Sequence, residues 1–266
     1  MQEIALPTPD GDARAYTFQP TGEGPWPGAV IFMDAPAIRP ALFEMGERLA
    51  KHGYFVLLPD LFWRAGPYAP INVKEVFADE AKRREAFGKL MGSTNPEKQL
   101  VDAKASLDYL AANPNVKPGK VAITGYCMGC GVVMRTAGTY PDRIAAAAGF
   151  HGGRLATDAP DSPHLLAPKI TARVLVAGAD EDAGFPPEQA DRLRQALDAA
   201  GVRNEVTIYP GARHGYTMTD LPVYNEAAAE RHWSEMLRLF DETTRQPVAA
   251  CPHISALPLD GGGERP

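Results

Sequence analysis

The sequence predicts an α/β protein built on a doubly wound, mostly parallel sheet with helices on both faces. Three observations carry that reading. Short apolar runs recur along the chain, as in Ala29-Val-Ile-Phe-Met33, Tyr54-Phe-Val-Leu-Leu58 and Arg173-Val-Leu-Val-Ala177. Continuous apolar runs of this length suit strands covered on both faces. Segments with apolar residues three and four apart alternate with them and suit amphipathic helices. Glycine and proline separate the two kinds of segment.

The elements follow in order. Residues 12–19 read as a first strand, with turn residues before it and Pro20-Thr-Gly-Glu-Gly-Pro-Trp-Pro27 after it. Ala29 to Met33 is a buried strand that ends at Asp34. Over residues 41–52, Leu42, Met45 and Leu49 recur at helical spacing, and Gly53 closes the helix. The strand from Tyr54 is cut by Pro59, and residues 60–71 form a loop rich in aromatics and proline, with Phe62, Trp63 and Tyr68. Asn72 caps a helix that runs through Val73, Val76 and Phe77 to Phe87 and Leu90. A second helix starts at Asn95-Pro96-Glu97 and reaches about Ala112. Further strands are expected over 121–124, 144–150, 173–177 and 205–209. Helices are expected over 130–139, 188–200 and 225–243, with a polar, proline-rich loop over 155–169.

No internal repeat or linker divides this pattern, so residues 1–245 are expected to form a single domain. Residues 246–266, with Pro247, Pro252, Pro258 and three consecutive glycines, are expected to be an extended or disordered tail. The 266 residues are 45% hydrophobic and 23% charged, enough for a large core. The net charge is −6 and no basic stripe stands out, which argues against a nucleic-acid surface. No run of about 18 apolar residues is present, so no membrane span is expected. The first seven residues lack the basic start and apolar core of a signal peptide. Three cysteines, at 127, 130 and 251, suit a reducing compartment better than a disulfide scaffold. The expectation is a cytoplasmic monomer or small homo-oligomer acting on a small molecule.

The chemistry gathers at the strand ends. Gly125-Tyr-Cys-Met-Gly129 stands between an apolar strand and a helix-compatible segment. Strand, Gly-x-nucleophile-x-Gly, helix is the nucleophile elbow, here with cysteine. The flanking glycines admit a tight, strained turn, and the helix that follows aims free N–H groups and its positive dipole end at the sulfur. In the α/β-hydrolase fold the nucleophile, acid and histidine follow in that order along the chain. His214, in Gly211-Ala-Arg-His-Gly215, follows a strand closely and suits a general base. His164 and His253 lie in loop or tail, His232 is expected on a helix surface, and His151 stands at a strand end where it can line a pocket. Asp180, Glu181 and Asp182 all follow one strand, and position alone does not choose among them. Cys127-x-x-Cys130 also has the spacing of a thiol–disulfide redox pair, so an oxidoreductase is one rival reading. A non-catalytic ligand-binding relative of the fold is the other.

Together, Gly125-Tyr-Cys-Met-Gly129, Asp182-Ala-Gly-Phe-Pro186 and Gly211-Ala-Arg-His-Gly215 resemble the dienelactone hydrolase family, the cysteine-dependent branch of the α/β-hydrolases, over roughly residues 10–243. The resemblance implies a hydrolase of carboxylic esters or lactones with a catalytic set of Cys127, Asp182 and His214. It selects Asp182 because the family's acid precedes a proline by four residues. It implies an oxyanion hole from the backbone N–H groups of Ala35 and Met128, and no metal or organic cofactor. It gives Asp34 a part in activating the thiol, although the family has the longer glutamate there. The family also binds a substrate carboxylate through two arginines. Arg84 matches one. Tyr216, Thr217 and Met218 stand where the second would be, with Arg39, Arg64 and Arg154 as substitutes. Tyr68 and His151 are expected at the substrate.

Overall fold

A backbone that leaves water must pair its polar groups, and the apolar runs do so with one another. The computed structural model describes residues 1–245, so the expected tail over 246–266, with His253 and Cys251, lies outside the described residues. Eight strands form one sheet: β1 (Gln2–Thr8), β2 (Gly11–Phe18), β3 (Gly28–Phe32), β4 (Phe55–Pro59), β5 (Val121–Tyr126), β6 (Ile144–Phe150), β7 (Arg173–Ala179) and β8 (Asn204–Tyr209). Their order is β1-β2-β4-β3-β5-β6-β7-β8. The β1–β2 and β2–β4 pairs are antiparallel, and the pairs from β4 through β8 are parallel. Every residue of β3, β4 and β5 is buried, as their unbroken apolar runs require.

Helices cover both faces. Those in contact with the sheet include α1 (Pro40–Lys51), α4 (Pro96–Ala112), α5 (Met128–Thr139), α6 (Pro187–Ala199) and α7 (Glu226–Thr244). Leu42, Met45 and Leu49 form the buried stripe of α1, and Trp233, Met236 and Phe240 that of α7. An Arg48–Glu230 ion pair ties these two helices together. α5 packs along β3, β5 and β6. Among the described residues, no helix is long and apolar enough to cross a membrane.

The structure departs from the sequence reading in four places. An additional edge strand, β1, precedes the expected first one. Only Leu6 of β1 is fully buried, so it carries no apolar run to announce it. The helix expected from Asn72 through Leu90 is two helices, α2 (Val73–Ala78) and α3 (Glu80–Gly92). Asp79 separates them: its backbone is extended and its carboxylate accepts the N–H groups of Ala81 and Lys82, capping α3 afresh. The loops over 60–71 and 155–169 contain short 3₁₀ turns, Trp63–Ala65 and Pro163–Lys169. His232 is fully buried rather than on a helix surface, with Tyr126 Oη 3.0 Å from its Nε2 and Nδ1 hydrogen-bonded to the Ala229 carbonyl at 2.8 Å. Burial holds that imidazole neutral, its pKa pushed down to about 3.

The parallel order reverses direction at β3, which pairs with β4 on one side and β5 on the other. Connections from neighbouring strands diverge there and leave a crevice beyond the strand ends. The turn from β5 into α5 sits in that crevice, pressed against the end of β3. A Cβ on Gly125 would overlap the Gly129 carbonyl, and one on Gly129 would overlap the Phe32 carbonyl. Both obstacles are backbone and cannot rotate away. Gly129→Ala is therefore expected to cost about 2 kcal/mol or more in chemical denaturation. Gly88→Ala, where a Cβ within α3 meets nothing within 4 Å, is expected to raise stability by about 0.5–1 kcal/mol. Equal effects from the two substitutions would contradict this packing.

Candidate active site

The β5–α5 turn presents Cys127 at the mouth of the crevice. Its backbone is left-handed, with φ 51° and ψ −112°, a conformation that costs a non-glycine residue of order 1–3 kcal/mol and persists only where the surroundings impose it. The glycine contacts at 125 and 129 impose it. Met128 is the first residue of α5, so its N–H has no acceptor within the helix. Ala35, just past β3, lines the same cavity as Cys127. These are the two amides expected to form an oxyanion hole.

His214 and Asp182 come from the loops after β8 and β7. His214 Nδ1 lies 2.6 Å from Asp182 Oδ2. The other Asp182 oxygen accepts the Gly184 N–H at 2.8 Å. These two bonds outweigh burial and hold the Asp182 carboxyl below its ordinary range. An ionised carboxylate only accepts, so Nδ1 carries a proton and the second ring nitrogen is left for Cys127, which lines the same cavity. Burial works against a charged His214, but the bonds to Asp182 and Cys127 and their charges prevail, and its pKa is pushed up to about 10. The side chain is still 40% exposed.

The structure separates the three acidic candidates. Asp180 faces away from the imidazole: its oxygens accept the N–H groups of Glu181 at 3.0 Å and Gly211 at 2.7 Å. It thereby braces the loop that carries His214. Glu181 is exposed and pairs with Arg213.

Asp34 has a different partner from the one expected. Its two oxygens lie 2.6 and 2.9 Å from the Arg39 guanidinium, and Asp220 holds the other edge of Arg39 at 2.6 Å. Asp34 and Arg39 are essentially inaccessible to water. Burial pushes the Asp34 carboxyl above its ordinary value, with Arg39 opposing. Taking a proton from Cys127 would cancel the charge that pairs Asp34 with Arg39.

Other expected residues disperse. Arg84 is on the exposed face of α3, 81% accessible and paired with Glu80. It does not line the cavity, whereas Phe87 of the same helix does. Tyr68 donates to Asp60 at 2.6 Å and lies under Arg14, so it anchors its loop on β2 and β4 rather than reaching the cavity. Arg64 is bound to Asp10 and Asp102, and Arg154 is exposed. His151 does line the cavity. It is fully buried, edge-on to His214 with ring centres 5.4 Å apart, and its Nε2 is 2.7 Å from Thr217 Oγ1. Burial, with the neighbouring charge of His214, keeps it neutral. Cys130 is buried, its thiol directed at the carbonyls of Gly125 and Phe150.

The cavity encloses about 270 Å³. Among its walls, Leu221, Pro222, Val223 and Phe87 carried no motif in the sequence. The first three lie a few residues beyond His214, and their position after that loop is the only signal that marks them. Among the described residues, no group of three or more His, Cys, Asp or Glu is placed to hold a metal.

Sheet order, elbow and crevice define an α/β-hydrolase fold. The chain belongs to the dienelactone hydrolase family, whose family profile matches residues 13–244, and it is a hydrolase of the ester- and lactone-cleaving kind. A Synechocystis protein provisionally named carboxymethylenebutenolidase is 27% identical over 240 residues, covering 89% of this chain and 94% of that one. A Klebsiella pneumoniae crystal structure, provisionally titled dienelactone hydrolase, superposes with a TM-score of 0.78 at 25% identity, over 91% of this chain and 98% of that one. The fold is also that of P91, a dienelactone hydrolase-like promiscuous phosphotriesterase from metagenomic libraries, with a TM-score of 0.70 at 24% identity over 91% and 97% of the two chains.

The Asp182 bond has a measurable consequence. In an NMR titration His214 should deprotonate near pH 10 in the native protein. In Asp182→Asn the value should fall toward the ordinary 6.5, by at least about one pH unit. Asp180→Asn should move it less. The reverse ranking would reassign the acid.

Proposed function

We propose that the protein hydrolyses small carboxylic esters or lactones through a Cys127 acyl-enzyme. The observation that carries this reading is the 2.6 Å pairing of Asp182 with His214 in the cavity that Cys127 also lines, with the sulfur held on a strained elbow at a helix N-terminus. The name of the Synechocystis relative, which refers to a butenolide, an unsaturated lactone, agrees with it.

His214 already carries its second proton, and Cys127 Sγ attacks the substrate carbonyl carbon as the thiolate. The carbonyl electron pair moves onto oxygen, where the N–H groups of Ala35 and Met128 receive it. The tetrahedral intermediate collapses to a thioester. The leaving alkoxide takes the proton from His214; in a lactone it stays tethered to the acyl group. His214 then removes a proton from water, the hydroxide attacks the thioester, and the carboxylic acid leaves as the Cys127 sulfur is released. Asp182 orients the ring through Nδ1 and stabilises the imidazolium, which gives its proton to the leaving group and is re-formed when water is deprotonated.

The position of Cys130 weighs against a dithiol oxidoreductase. Its sulfur has no exposure, and burial, with the nearby Cys127 sulfur, pushes its thiol well above the ordinary value. A resolving thiol needs access and thiolate character.

Cys127→Ala is expected to lower kcat/KM for an activated ester by about 10⁴-fold or more, with an unchanged melting temperature. Cys127→Ser should fold and lose most of the rate, and Cys130→Ser should keep activity within about threefold. Retained turnover in Cys127→Ala would sink the mechanism; loss of turnover in Cys130→Ser with the fold intact would favour the redox reading.

A further inference from the structure

From the walls of the cavity we infer that the substrate is an uncharged ester or lactone, and that a carboxylate-bearing one is excluded. This rests on the hydrolase reading and adds the substrate class to it. Apart from the reacting groups, the walls facing Cys127 and His214 include Pro36, Phe87, Leu221, Pro222 and Val223. No Lys or Arg is among the described residues that line the space.

The nearest guanidinium is fully engaged. Arg39 has five N–H bonds to give. Nε donates to Asp220 at 2.6 Å; Nη1 donates to Asp34 at 2.6 Å and to the Ala37 carbonyl at 3.2 Å; Nη2 donates to Asp34 at 2.9 Å and to Asp220 at 3.2 Å. Nothing remains for a ligand. The cluster holds two carboxyl groups against one guanidinium, and Asp34 is the member that lines the cavity. An entering carboxylate would lose its water, find no cation but the His214 imidazolium, already paired with Asp182, and meet another carboxyl group. His151 offers no charge either, being buried and neutral. An apolar substrate meets the opposite situation: burial against Phe87 and the 221–223 segment is favourable and needs no partner. The volume, about 270 Å³, lies just below the usual range for small-ligand pockets, roughly 300–1,000 Å³, so the substrate is small.

The test compares two esters of one leaving group, 4-nitrophenyl hexanoate and mono(4-nitrophenyl) adipate, which differ by a terminal carboxylate. After subtraction of the uncatalysed rates, kcat/KM should favour the hexanoate by about 100-fold or more. Leu221→Lys sets an ammonium in the wall at a half-buried position and should shrink that ratio at least about tenfold. Equal or better turnover of the adipate ester by the native protein would overturn the inference and leave the hydrolase mechanism standing. A ratio unmoved in Leu221→Lys would overturn the role given to the cavity wall. Turnover of neither ester would remove both the mechanism and the inference.

Discussion

The turn at 125–129 lies so close to the end of β3 that two of its positions accept only glycine. Gly125 faces the Gly129 carbonyl, and Gly129 faces the Phe32 carbonyl. This contact fixes the functional end of the molecule. It forces Cys127 into a left-handed backbone, begins α5 immediately behind the sulfur, and sets the end of β3 against the first turn of α5, with Ala35 lining the same cavity as Cys127. Because β3 and β5 are the strands at which the sheet order turns, the same contact lies at the crevice of the fold. The Cys127 sulfur and the start of α5 thus owe their placement to backbone packing rather than to flexible side chains.

Around that fixed point, acidic groups of one kind do three different things. Asp182 orients and charges an imidazole, Asp180 braces the loop that carries it, and Asp34 is locked to Arg39. Geometry, not residue type, separates them. The two imidazoles of the cavity diverge in the same way. His214 is held charged by the Asp182 carboxylate on one side and the Cys127 sulfur on the other, while His151, fully buried beside it, is kept neutral. A neutral neighbour 5.4 Å away adds no charge against the His214 imidazolium.

Much of this was legible in the sequence because it is local. Strands buried on both faces announce themselves as apolar runs. The elbow is a five-residue pattern, and the chain order Cys, Asp, His needs no coordinates. Other features depend on partners far away in the chain. Arg39 looked like a candidate for substrate because nothing near it reveals Asp220, 181 residues later. His232 looked like a surface residue because Tyr126 is 106 residues away. β1 was missed because its stability comes from a hairpin with β2 rather than from burial of its own side chains. The break at Asp79 was missed because apolar spacing continues across it, while one carboxylate recaps the chain. Arg84 matched a motif by position along its helix, and the helix turns it to solvent while sending Phe87 to the cavity.

The account stands or falls on a covalent bond to one sulfur. Intact-mass and peptide mass spectrometry, on protein quenched in acid during turnover of a slowly deacylating activated ester, would read it directly. The account predicts one added acyl group, carried by the peptide containing Cys127 and sensitive to hydroxylamine as a thioester is. Catalytic turnover with an acyl group on Cys130 or Cys251 instead, or with none on Cys127 under conditions where deacylation limits the rate, would contradict it.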